Sequence, residues 1–315
     1  MDFERSDDQV ALVDAVAGLV GRRFDIATVR GLEADGGVDR GRWRELGDLG
    51  VFGVGPEGVG WVDAVLVFEQ LGRALVPGPL VATALAAGAI NGAAAGDRVV
   101  GIVERDAVES PLLVEYFDVL DDLVVLDADG VWRVDPNEVA AATVPPLDPL
   151  VPISRVDALP TGTRIANSHE CAAWRARGAV LTSALQLGVA AGACDLATAY
   201  AKERRQFDKP IGQFQAVKHL CADMVSRVEV CRAIVYYAGV CLDDPDVGDV
   251  DRAVAAARVL AVTASGENAR ECVQVHGGMG YTWEVDAHLF AKRAYVLATS
   301  FGAVEEHEEL LASLV

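Results

Sequence analysis

Three long apolar runs of helical period, Ala172–Tyr200, Phe214–Leu242 and Ala253–Val275, fill most of the C-terminal half of this chain. Each exceeds twenty residues, whereas strands rarely pass about ten. These three runs are therefore read as helices. Long helices joined by Pro210-Ile211-Gly212 and by Asp243–Asp249 fit an antiparallel bundle, because short breaks between such periods return the chain alongside itself.

Two other zones precede the bundle. Residues 1–95 are also helical by period. Ser6 is placed to cap a helix through Val10, Leu12, Val13, Val16, Leu19 and Val20, with Asp7 and Asp8 in its first turn. Amphipathic segments follow at Arg42–Leu49 and Val62–Leu71, with a glycine-rich break between them. Pro77-Gly78-Pro79 then closes one helix before the alanine-rich stretch Leu80–Ala95. Residues 96–165 change character. β-Branched runs at Val99–Val103, Leu123–Leu126 and Val131–Val134 predict strands, and Asp129-Gly130 predicts a hairpin between the last two. Six of the chain's twelve prolines (Pro136, Pro145, Pro146, Pro149, Pro152 and Pro160) follow, so the tail of this zone is expected to be loop or edge strand. The expected architecture is mainly α with a small central β domain. An N-terminal helical domain (1–95) and a truncated β domain (96–165) lead to a C-terminal four-helix bundle (166–315).

The 315 residues carry 27 basic and 47 acidic side chains, a formal charge of −20. Such a surface repels phosphate backbones and anionic lipid, which argues against nucleic-acid or membrane partners. Cys171, Cys194, Cys221, Cys231, Cys241 and Cys272 form no Cys-x-x-Cys pair and have few histidines nearby. They are expected to be reduced core thiols, with no metal. The segment Met1–Ser6 is charged and lacks an apolar signal core, so a cytoplasmic location is expected.

Two segments carry chemistry. Glu203-Arg204-Arg205-Gln206-Phe207-Asp208-Lys209-Pro210-Ile211-Gly212-Gln213-Phe214-Gln215 resembles the E-R-x-x-F-G-x-P-I-x-x-F-Q signature of the acyl-CoA dehydrogenases. Gln274-Val275-His276-Gly277-Gly278-Met279-Gly280-Tyr281 resembles the Q-x-x-G-G-x-G-[YF] signature of the same family. Trp43–Val51 and Glu69–Arg73 are similar to its N-terminal helices. The likeness spans both ends of the chain and is weakest in the middle.

An arginine offers forked donors that suit a pyrophosphate. Paired glycines let backbone N–H groups approach a dinucleotide, and a glutamine offers both a donor and an acceptor. Taken singly, Arg204 reads as a surface charge, Phe207 as a core plug and Gly277-Gly278 as a turn. In this order and spacing the resemblance implies that Arg204, Phe207, Gln274, Gly277 and Gly278 contact FAD held by a neighbouring subunit. Asp208 replaces the signature's glycine and puts the geometry of that loop in question.

The family's reaction needs a carboxylate to take the α-proton of an acyl-CoA thioester. The resemblance places that base at Phe301, within Ser300-Phe301-Gly302-Ala303, or at Gly178 near the start of the first bundle helix. Neither residue can accept a proton. Glu284, Glu305 and Glu306 lie nearby in sequence and read as solvated helix faces. The β zone also lacks stretches like T-E-P-x-x-G-S-D and W-I-T-N, which hold the flavin ring in the family. The resemblance therefore implies a short, non-catalytic subunit, similar to those of the actinobacterial heterotetrameric acyl-CoA dehydrogenases that act on steroid-derived thioesters. The implied partner is a longer catalytic chain in an α2β2 complex, which holds most of the acyl-CoA and passes electrons to an electron-transfer flavoprotein. A flavin-free scaffold, or a homomeric enzyme with an atypical base such as Glu284, remain the alternatives.

Overall fold

The computed structural model describes residues 5–33, 36–56, 58–105 and 111–314. The charged segment Met1–Glu4 lies outside them. Five helices open the chain: α1 (Asp7–Arg23), α2 (Ile26–Gly31), α3 (Arg40–Asp48), α4 (Trp61–Arg73) and α5 (Leu80–Ala86). Ser6 caps α1 in a reciprocal box with Gln9. The N-terminus of α4 is capped from a distance. Asp243 accepts the N–H of Trp61 at 2.6 Å and that of Val62 at 2.9 Å, because Gly60 offers no side chain for the task. The alanine-rich stretch is helical only to Ala86 and then passes through turns. Glycines at 88, 92 and 96 interrupt it, and alanine's helical preference does not outweigh them.

Seven strands follow: β1 (Val100–Glu104), β2 (Leu112–Glu115), β3 (Asp122–Asp127), β4 (Gly130–Val134), β5 (Ala141–Val144), β6 (Ile153–Val156) and β7 (Thr163–Asn167). They form one sheet in the order β1-β3-β4-β7 and another in the order β2-β6-β5. The expected β3–β4 hairpin is present, but its turn is Ala128-Asp129, one residue earlier than Asp129-Gly130, with Asp127 opposite Gly130. The proline-rich tail is more ordered than its composition suggests. It contributes three strands, and β6 is central in its sheet. The prolines fall between these strands, so no ladder loses a donor. Val103, Leu112, Val114, Leu123, Val125, Val134, Val139 and Val156 give the two sheets a small core of their own.

The bundle comprises α6 (Ser168–Glu203), α7 (Gln215–Asp243), α8 (Val250–His276), α9 (Ala287–Leu297) and α10 (Val304–Ser313). Three elements are long. The fourth member of the bundle is divided between α9 and α10, both packed on α8. Residues 178–194 of α6 are buried on every side, as the central helix of a large core requires. By length and composition α6 is apolar enough to cross a membrane, yet 89% of that window is buried inside the protein. Small residues bring α4 against it. A Cβ on Gly188 would lie 2.1 Å from the carbonyl oxygen of Glu69, and one on Gly72 would lie 2.1 Å from that of Leu185. None of the six cysteines is joined in a disulfide, and five are buried. Among the described residues no group of His, Cys, Asp and Glu side chains could hold a metal ion.

Candidate functional site

α6 and α8 run parallel and in direct contact, with α7 antiparallel to both. Gln186 meets Arg258, the carbonyl of Ala190 meets Asn268, and Tyr200 stacks on His276 at 4.1 Å. Arg227 of α7 reaches Glu271 of α8 at 2.7 Å. The C-termini of α6 and α8 and the N-terminus of α7 therefore share one end of the bundle. All five residues predicted to touch FAD lie there.

Arg204 closes α6, its N–H donating to Tyr200 O at 2.8 Å and its carbonyl accepting from Ile211 N at 2.8 Å. A two-stranded hairpin follows, β8 (Arg205–Gln206) with β9 (Lys209–Pro210). Its turn residues, Phe207 and Asp208, both take left-handed backbone, with φ of 51° and 63°. Two positive φ values in a two-residue turn favour Asn-Gly. The missing glycine therefore leaves the hairpin intact and puts strain at Phe207 and Asp208. Phe207 is also 84% exposed, edge-on to Phe214 at 6.0 Å. Its role as a core plug is excluded.

Gly277 ends α8 at φ 61°, ψ −140°, a conformation that only glycine adopts without strain. A Cβ on Gly277 or Gly278 would meet nothing within 4 Å, so both backbones line open space. Among the described residues, the side chains of Arg204 and Gln274 have no hydrogen-bond or ion-pair partner. The fit to a dinucleotide is good: free forked donors, a free amide, a bare backbone and an exposed ring share one end.

Phe301 and Gly178 meet elsewhere, deeper in the protein. Phe301 is 6% exposed, and a Cβ on Gly178 would lie 2.2 Å from its Cε1 and 2.4 Å from its Cζ. The ring occupies the space that a side chain at Gly178 would need. Phe301 itself has φ 55° and is fixed from both sides. Its N–H donates to Glu104 Oε2 at 3.1 Å, and its carbonyl lies 3.0 Å from His307 Nε2. Burial lowers the His307 pKa, which favours the neutral ring.

Arg258 holds the preceding loop. Fully buried, it donates to Gln186 Oε1 at 2.7 Å and to Ser300 O at 2.8 Å, with longer bonds to the carbonyls of Leu297 and Ala298. Loss of solvent pushes its guanidinium down to about 10. Neither Arg258 nor Glu104 stood out in the sequence. A lone arginine inside the apolar run Val254–Leu260 was the available signal for the first. Glu284, Glu305 and Glu306 are exposed, the last two in the first turn of α10.

Residues 176–314 match the family described as acyl-CoA dehydrogenase, C-terminal domain. Acyl-CoA dehydrogenase FadE34 of Mycobacterium tuberculosis is 34% identical over 309 residues, covering 88% of this chain. The chain spans only 43% of that protein's length. Acyl-CoA dehydrogenase IpdE2 of Mycolicibacterium smegmatis is 32% identical over 311 residues and is matched over 96% of both chains. A chain in the solved ChsE4-ChsE5 complex from Mycobacterium tuberculosis has the same fold, with a TM-score of 0.85 at 23% identity over 99% of this chain and 98% of that one. The helical ends, the sheet pair between them and these matches agree, and the chain belongs to the acyl-CoA dehydrogenase family.

Proposed function

We propose that this chain is the non-catalytic subunit of a heteromeric FAD-dependent acyl-CoA dehydrogenase, assembled with a longer catalytic chain as α2β2. The observation that carries this reading is the contact of Phe301 with Gly178. These are the two positions to which the family resemblance assigns the base; they face each other here, and neither holds a carboxylate. At the far end of α6 the cofactor-lending set is free and exposed. Chemistry lost and a cofactor contact kept describe a chain that serves a neighbour's site.

When bound, FAD supplies the hydride acceptor for formation of the α,β double bond. Arg204 would pair with the pyrophosphate as a forked, charge-assisted donor. Gln274 and the backbone N–H groups at Gly277 and Gly278 would add donors that need no reorganisation, and Phe207 would cover an apolar edge. The catalytic chain would supply the carboxylate and bind most of the thioester, steroid-derived in this reading, with an electron-transfer flavoprotein as the oxidant.

Co-expression with a candidate catalytic chain tests the assignment. The expected product is a yellow 2:2 complex that Arg204→Ala bleaches, whereas this chain alone is colourless and inactive. An active, flavin-bound homomer would overturn the proposal. A stable but colourless complex would instead establish a scaffold.

A further inference from the structure

Between Tyr281 and α9 lies a group of side chains that the flavin contacts do not use. Trp283 is 61% exposed. The ammonium of Lys292 sits 4.0 Å from the centre of its ring, and the imidazole of His288 meets it edge-on at 4.5 Å. Both nitrogens of His288 are shut off from solvent and, among the described residues, have no hydrogen-bond partner. Arg30 approaches from α2, its Nε donating to Asp286 Oδ1 at 2.6 Å, while its Nη2 is likewise buried and unpartnered.

Buried polar atoms almost always find partners, so three orphans in one neighbourhood need an explanation. A partner arriving from outside supplies one. The chemistry around it selects the class. Arg30 and Lys292 bring two cations and Asp286 one carboxylate. His288 is kept neutral by burial and by those two cations, so it offers a donor and an acceptor. Guanidinium, ammonium and imidazole together suit a phosphoryl group. The exposed indole, with Tyr281 82% exposed two residues before it, suits a planar base.

We propose that Trp283 is a movable cover on a nucleotide site, in which a base stacks on the indole and a phosphate takes the free nitrogens of Arg30 and His288 together with Lys292. Adenosine diphosphate is the shared chemistry, and either FAD or coenzyme A could present it. The site is separate from Arg204, Phe207 and Gln274, and its existence does not depend on which subunit carries the base.

The test titrates ADP into the purified full chain, in the assembly it forms, by calorimetry. Tryptophan fluorescence is followed in parallel, with Trp283→Phe identifying which indole responds. Binding is expected to weaken at least tenfold in His288→Ala and in Arg30→Ala, and to survive in Trp283→Phe, which keeps a stacking face. Melting temperatures control for folding. If His288→Ala melts early, His288→Gln and Arg30→Lys replace the alanine variants. Competition against bound ADP then separates the sources, since the tighter competitor of FAD and coenzyme A names the occupant. No ADP binding at millimolar concentration, or binding indifferent to both His288 and Arg30, would overturn the site. Equal competition by inorganic phosphate alone would also overturn it, because the base would then contribute nothing.

Discussion

The ring of Phe301 rests on the backbone of Gly178, with three of its carbons within 2.6 Å of where a Cβ would stand. Even alanine at Gly178 therefore forces the 297–301 loop or α6 to move. Overpacking of this kind costs about 1–3 kcal/mol. Gly178→Ala should lower the denaturant midpoint accordingly. Phe301→Ala alone should cost about 3–5 kcal/mol through the cavity it leaves. The double variant should cost clearly less than the two added together, because each change relieves the other. Strict additivity in urea unfolding would show that the two residues do not share this space.

Phe207 is strained and exposed at once. Phe207→Gly relieves a left-handed backbone at little cost in buried area, so stability should rise by about 1 kcal/mol. Flavin retention by the assembled complex should fall in the same variant. Thermal melts and the absorbance of the flavin on a desalting column measure the two effects separately. A stable variant with undiminished flavin would remove Phe207 from the cofactor set.

Glu115 gives a pH signature. Burial, partly offset by Arg293 and reinforced by Asp148, raises its carboxyl from 4.5 to about 7. The folded chain then holds a proton that the unfolded chain releases near pH 4.5. Between these values unfolding releases that proton, so stability falls as pH rises and levels off above about 7. The side chain is only partly withdrawn from solvent. The expected loss is therefore about 1–2 kcal/mol, below the full effect of such a shift. Glu115→Gln should flatten this slope and be the more stable form at pH 8. Urea unfolding of both proteins at pH 5 and pH 8 reads the difference.

Asp243 ties the N-terminal helices to the bundle by capping α4 across 182 residues of chain. Asp243→Ala should cost about 1–2 kcal/mol, the range of strong helix caps. Asp243→Asn, which keeps one acceptor oxygen, should recover part of that loss. Amide exchange at Trp61 and Val62 should quicken in the alanine variant first.

The parts of the fold legible in the sequence were those set by local pattern. The periods of α6, α7 and α8, the cap at Ser6 and the β3–β4 hairpin each follow from residues close in sequence. β5 and β7 are the edge strands that the proline-rich tail allowed, whereas the central β6 was missed because prolines between strands and prolines within strands look alike in composition. The distant cap of Asp243 on α4 has no local signature either. In the site, family spacing led to Phe301 and Gly178 separately. Their mutual contact depends on how α9 ends against α6, a tertiary fact. The partners of Arg258 were illegible for the same reason: they are the Gln186 side chain and carbonyls about forty residues away.

Gly178 and Arg204 sit on one unbroken helix, separated by about 40 Å of rise along its axis. A change that repacks the Phe301 end leaves the Arg204 end of the rod in place, since a stiff helix transmits little of a local repacking over so many turns. In the proposed reading, gene duplication lets one copy do without a reactive carboxylate while still completing its sibling's site. A two-gene enzyme of this kind requires no new fold, only a helix long enough to keep two jobs out of each other's reach.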